Sequence, residues 1–139
     1  MAIYRKFASN PYFKEREMVC KCSRCQEAYI DSDLMDKLTV ARDNAKIPFI
    51  INSGCRCPEH NRREGGAENS DHLADGRKLI CFGVDIHCNN DRNRFLILKA
   101  LIEAGIDRIG LHPTKIHAGI SKRNVKNVVW FYPNRQIVS

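Results

Sequence analysis

Two imidazoles and one carboxylate, those of His72, Asp85 and His117, carry the most legible chemistry in this chain. Two neutral histidine nitrogens and a carboxylate oxygen, with a fourth position left open, describe a hydrolytic zinc site, where the ion lowers the pKa of a water toward neutrality. The three contexts are Asn69-Ser70-Asp71-His72-Leu73, Phe82-Gly83-Val84-Asp85-Ile86 and Lys115-Ile116-His117-Ala118. Side chains alternate across a strand, so Asp85 should project away from its core-facing neighbours Val84 and Ile86. His117 should do the same between Ile116 and Ala118 on a neighbouring strand, while His72 comes from the loop before Asp85. Asp75 is a rival carboxylate three residues after His72. Its polar loop context lacks apolar strand neighbours, and Asp85 is preferred.

Placing such a set requires strands that present it and helices that cover the opposite face. From Ser32 to about Ala45, the residues Leu34, Leu38, Ala41 and Ala45 recur at helical spacing, with Asp31 or Ser32 as N-cap and Pro48 as terminator. A second helix is expected over about Arg92 to Ala104, with Phe95, Leu98 and Ile102 as its apolar stripe and Gly105 as its C-cap. Strand candidates are 49–52, 81–88, 108–111, 115–120 and 127–132, and 57–79 reads as a polar loop with one short helix. The pattern predicts an α+β fold: a small single domain, 1–139, with a mostly antiparallel sheet and flanking helices. Residues 1–30 are expected to form an irregular, cysteine-bearing N-terminal extension.

Composition sets the frame. The chain has 139 residues, enough to bury a core without disulfide staples, and its 43% hydrophobic and 28% charged content is ordinary for a globular domain. No apolar run approaches a membrane span, and no secretory signal peptide is read at the N-terminus. Synthesis in the cytoplasm is therefore expected. The net charge of +7 and pI of about 9.2 favour anionic partners such as a wall polymer or nucleic acid. The basic residues are scattered and no aromatics interleave with them, which disfavours a nucleic-acid surface. A monomer is expected.

Seven cysteines cannot all pair within one chain, and without a signal peptide reduced thiols or metal ligands are the better default. Cys22, Cys25, Cys55 and Cys57 form a candidate second metal site, a tetrathiolate joining the N-terminal segment to the loop around residue 56. A disulfide between the segments, or buried thiols acting as small apolar groups, are the alternatives. Cys81 and Cys88 are too far apart along one strand to bond each other.

Taken together, Ser70-Asp71-His72, Gly83-Val84-Asp85-Ile86 and Ile116-His117 resemble the zinc D-Ala-D-Ala carboxypeptidase family, whose pattern is Ser-x-His, then Gly-x-Ala-x-Asp, then a distal His. Ser53-Gly54-Cys55-Arg56-Cys57-Pro58 is similar to that family's Ser-Gly-Tyr-Arg segment. The resemblance runs from about Phe13 to Ile120 and implies a hedgehog-like fold, a Zn²⁺ cofactor and peptidoglycan stem peptides as substrate. It also implies that Arg56, with Ser53 beside it, meets the substrate, where a guanidinium fork suits a peptide carboxylate. Two departures stand out. Asp85 lies thirteen residues after His72 rather than seven, with 74–80 as an insertion that loop closure tolerates at about 0.6 kcal/mol per doubling of length. Related enzymes also carry, as general base, an acidic residue three before the distal histidine or an aspartate two after it, where this chain has Thr114 and Gly119. His112, five before His117, is the candidate catalytic base or water-orienting group, with Glu64, Glu68 and Asp71 as further carboxylates.

Three functional readings follow. The first is a zinc peptidase, carboxypeptidase or endopeptidase, that acts on the cell wall as a phage-type lysin or recycling enzyme does. The second is a non-catalytic zinc module of the same fold, favoured by Thr114 and Gly119. A nucleic-acid-binding zinc domain comes last.

Overall fold

Strand alternation is what turns this sequence into a two-faced sheet. The computed structural model describes residues 2–22, 24–76 and 79–132. Its strands are β1 (Ile51–Ser53), β2 (Gly83–His87), β3 (Arg108–His112), β4 (Lys115–Gly119) and β5 (Val128–Phe131), in the order β1-β2-β4-β3-β5. Pairing is antiparallel from β1 to β2, β2 to β4 and β4 to β3, but β5 runs parallel to β3. The sheet is thus mixed, which qualifies the antiparallel expectation. The cause is the connection after β4. It passes the start of β3, where Ser121 bonds the Asp107 carboxylate, and Val128 N–H then bonds Asp107 O at 3.0 Å, so β5 begins at the same end as β3.

Register puts Asp85 opposite His117, His117 opposite Gly110, and Gly110 opposite Trp130. These four therefore share one face at one level. Val84, Ile86, Ile109, Ile116 and Ala118 alternate onto the other face and are almost fully buried.

That apolar face packs into one core with two long helices. Helix α2 (Ser32–Ala45), preceded by the one-turn α1 (Glu15–Met18), buries Leu34, Met35, Leu38, Ala41 and Ala45. The Asp31 carboxylate caps it, accepting from Asp33 N and Leu34 N at 3.0 and 3.1 Å. The left-handed Lys46 ends it, before Pro48 is reached. Truncating Leu38 to alanine here would cost about 2–5 kcal/mol. Helix α3 (Pro58–Arg63) is the short helix expected in the 57–79 loop.

Helix α4 (Asp91–Glu103) corrects the expected stripe. Ile97, Ala100 and Leu101 are its buried residues, whereas Phe95 and Ile102 are 63% and 54% exposed. Both sets have helical spacing, and only packing against α2 selects between them. Gly105, at φ +95°, follows the C-cap Ala104, and the left-handed turn costs glycine nothing. The N-terminal segment is no appendage, since Phe13, Met18, Ala28 and Ile30 are buried in the same core. No helix among the described residues is long and apolar enough to cross a membrane.

Candidate metal centre and its cleft

His72, Asp85 and His117 converge: one ligand atom from each lies within 4.8 Å of the others, and all three residues are buried. Asp85 Oδ1 is the focus, 3.2 Å from His72 Nε2 and 3.0 Å from His117 Nδ1. Each imidazole has its other nitrogen tied. His72 Nδ1 meets Gly54 O at 2.6 Å, and since a carbonyl only accepts, Nδ1 carries the proton. Burial lowers the pKa of His72, with Asp85 opposing, so the ring tends to be neutral and turns a lone pair toward the Asp85 oxygen. Two lone pairs facing at that distance call for a cation between them. This donor set fits a divalent ion, with two imidazole nitrogens and one carboxylate oxygen aimed at one point.

His117 sits between two carboxylates. Its Nε2 is 2.8 Å from Asp71 Oδ2 while Nδ1 faces Asp85. Burial disfavours its charged form, but the bonds to Asp71 and Asp85 outweigh that and raise its pKa to about 9. Burial likewise pushes both carboxyls up, yet their partners win: Asp71 is held at about 2 by His117, Asn124 and Arg108, and Asp85 well below the carboxylate range by His117 and His72. An ion at Nδ1 would replace the proton there, leaving Nε2–H on Asp71. Histidine metal ligands are commonly oriented by a carboxylate in this way.

The sequence named Asp71 only as one of several loop carboxylates. In the structure Arg108 Nε donates to its Oδ2 at 2.9 Å and Asn124 Nδ2 to its Oδ1 at 2.8 Å. Gly119 explains why it reaches His117. A β-carbon there would lie 2.7 Å from Asp71 Oδ2 and 3.1 Å from His117 Nε2. Asp71 therefore occupies, from the loop, room that a side chain on β4 would fill. The signal was present as an acidic residue beside His72 paired with a glycine two after His117.

The three residues open onto a cleft of about 570 Å³, which Arg56, Glu64, His112, Lys115, Trp130 and Tyr132 also line. Gly110 clears its floor, since a β-carbon there would come within 2.7 Å of the Trp130 and Tyr132 rings. Trp130 lies 5.5 Å from the His117 ring. Arg56 Nε donates to Ser53 Oγ at 3.3 Å and Nη1 approaches Asn61 Oδ1 at 3.5 Å, with Nη2 3.9 Å from Asp85 Oδ2. Lys115 Nζ stands 3.4 Å from that same oxygen. His112 Nδ1 accepts from Thr114 N at 3.1 Å.

Other expected residues fall elsewhere. The Asp75 carboxylate accepts from Leu79 N at 3.0 Å within its own loop, and Arg77 and Lys78 of the expected insertion lie outside the described residues. Glu68 does not line the cleft. The thiols of Cys22, Cys25 and Cys57 come together, but their fourth neighbour is Cys20 rather than Cys55. Cys55 turns into the core, where it is buried in the same cluster as Cys81. The alternation of Cys55 and Cys57 along an extended stretch separates them, which spacing alone did not convey.

A family model described as Peptidase M15 matches residues 11–119, most of the chain and all three members of the His72–Asp85–His117 group. No curated protein matches significantly.

Proposed function

The chain belongs to the peptidase M15 family, and from that premise we propose that it is a zinc-dependent peptidase cutting the stem peptides of peptidoglycan. The observation that carries this reading is the buried His72–Asp85–His117 group facing a cleft with Arg56 on its wall. His72 Nε2, Asp85 Oδ1 and His117 Nδ1 would hold the ion. When bound there, zinc supplies Lewis acidity, polarising a peptide carbonyl and lowering the pKa of water.

The remaining steps belong to side chains. Ser53 and Asn61 hold the Arg56 fork, leaving the Nη2 hydrogens for the carboxylate of a stem peptide. His112 accepts at Nδ1 from Thr114, so its proton sits on Nε2. It is thus set to donate to charge developing on the scissile group, rather than to act as the base that its position suggested. Asp71 is engaged with His117, which leaves Glu64 as the cleft carboxylate available to accept a proton from water. Lys115 and Arg56 add positive charge suited to an anionic wall peptide.

The test is cleavage of purified muropeptides by zinc-loaded protein, followed by mass spectrometry, for wild type, Glu64→Gln and His112→Ala. New fragments from wild type, reduced in both variants, are expected. A second reading, a zinc-binding module without catalysis and with a hedgehog-like fold, is favoured by Thr114 and Gly119 in the places of the usual acids. Zinc retained by wild type with no fragment from any muropeptide would select it.

A further inference from the structure

We propose that Cys20, Cys22, Cys25 and Cys57 form a second, structural zinc site, a closed tetrathiolate that clamps the N-terminal segment to the loop carrying Arg56. The proposal is independent of the peptidase reading. All four sulfurs lie within 4.8 Å of one another, with Cys22 and Cys25 Sγ 3.5 Å apart and Cys57 and Cys22 Sγ 3.9 Å apart. A tetrahedral ion with Zn–S bonds of about 2.3 Å requires sulfur–sulfur edges of about 3.8 Å. A disulfide instead needs sulfurs about 2.05 Å apart, and every described cysteine is free.

Backbone donors also converge on the sulfurs. Cys57 N–H points to Cys20 Sγ at 3.3 Å and His60 N–H to Cys57 Sγ at 3.4 Å. Such donors stabilise thiolates more than thiols, because the acceptor carries charge. Three ligands come from one short loop and the fourth from the far side of the joint, so a metal here ties two segments distant in sequence. The Arg24–Glu59 ion pair crosses the same joint, and Cys55 N–H bonds Met18 O at 2.9 Å beside it.

The position gives the clamp a function. Cys57 directly follows Arg56, whose N–H bonds His72 O at 2.7 Å and whose carbonyl accepts from Ala74 N at 2.9 Å. Fixing Cys57 fixes the backbone from which the Arg56 side chain reaches the cleft.

The experiment uses full-length protein purified under reducing conditions without chelators, with zinc counted by mass spectrometry and its ligands read by X-ray absorption. His117→Ala should retain one zinc with an all-sulfur shell near 2.3 Å. Cys57→Ser should lose the sulfur signal, and a thiol-directed mercurial should release that zinc from folded wild type. The absorption spectrum of His117→Ala stands even if Cys57→Ser fails to fold. A purely nitrogen and oxygen shell in wild type would overturn this proposal while leaving the His72–Asp85–His117 site intact. So would no zinc in His117→Ala, or a Cys22–Cys25 disulfide in the zinc-bearing protein.

Discussion

The two clusters of metal-ligating side chains solve the same problem in opposite ways. His72, Asp85 and His117 offer three donors from a loop and two sheet strands, and their fourth side faces a cleft. Cys20, Cys22, Cys25 and Cys57 offer four donors from loops and leave no side open. An open position admits water and substrate, whereas a closed shell can only hold structure together. Their supports differ too. The imidazoles are aimed by outer bonds to Gly54 O and the Asp71 carboxylate, while the sulfurs are steadied by backbone N–H groups. The Asp71 support is a side chain and can be changed without disturbing the backbone, so the open cluster is the one that point mutation can tune through its outer bonds.

The largest effect that would break the contrast comes from His117→Ala. It removes one donor while Arg108 and Asn124 still hold Asp71, so peptide cleavage should fall to background while the thiolate zinc and the fold remain. Circular dichroism with metal counting checks this, and loss of both zinc ions together would show that the clusters are one cooperative unit. Cys57→Ser should do the reverse. Its expected signature is a Tm lower by roughly 10 °C, about 3 kcal/mol for a chain of this size, with the His72–Asp85–His117 zinc still bound. An unchanged Tm would remove the structural role from the cysteine cluster.

Asp71 offers a subtler test. Loss of an outer-shell carboxylate usually costs 10–100-fold in metal affinity or activity, and Asp71→Ala should fall in that range. Gly119→Asp should also be harmful, because its β-carbon would crowd Asp71 Oδ2 at 2.7 Å. Combined, the two changes return a carboxylate to His117 from strand β4 and vacate the space it needs. The double variant should therefore bind zinc better than either single one, a non-additivity that competition with a chromophoric chelator would measure. Strictly additive losses would mean that Asp71 acts by some route other than His117.

This pair also marks what the sequence could convey. Period-2 alternation around Asp85 and His117 was readable, since Val84, Ile86, Ile116 and Ala118 announce a core face, and the structure brings both polar residues to the other one. Helix α2 was readable from its apolar spacing and its aspartate cap. Partner choice across long separations was not. Asp71 and Gly119 are meaningful only once β4 lies beside the 69–73 loop, and Cys20 replaces Cys55 only once the N-terminal segment has docked. The α4 stripe failed at Phe95 and Ile102, though not at Leu98, which packs partly buried against the core, for a related reason. Phe95, Leu98 and Ile102 match the helical period as well as Ile97, Ala100 and Leu101 do, so periodicity alone leaves the buried face undetermined.

The smallest expected effect lies between the clusters, at Arg56. Its backbone is fixed next to Cys57 and its guanidinium leans toward Asp85 across Ser53 and Asn61. Arg56→Lys keeps the charge but loses the fork that those two oxygens orient. One charge-assisted hydrogen bond is worth about 1.5–3 kcal/mol, and lysine recovers part of it, so KM for a muropeptide with a free carboxylate should rise about tenfold with kcat less affected. Zinc at both sites should be unchanged. The same substitution should scarcely alter cleavage of a substrate amidated at that carboxylate, because the fork then has no anion to grip. Equal losses on both substrates would make Arg56 a brace for the loop, and the link between the thiolate joint and substrate recognition would fall with it.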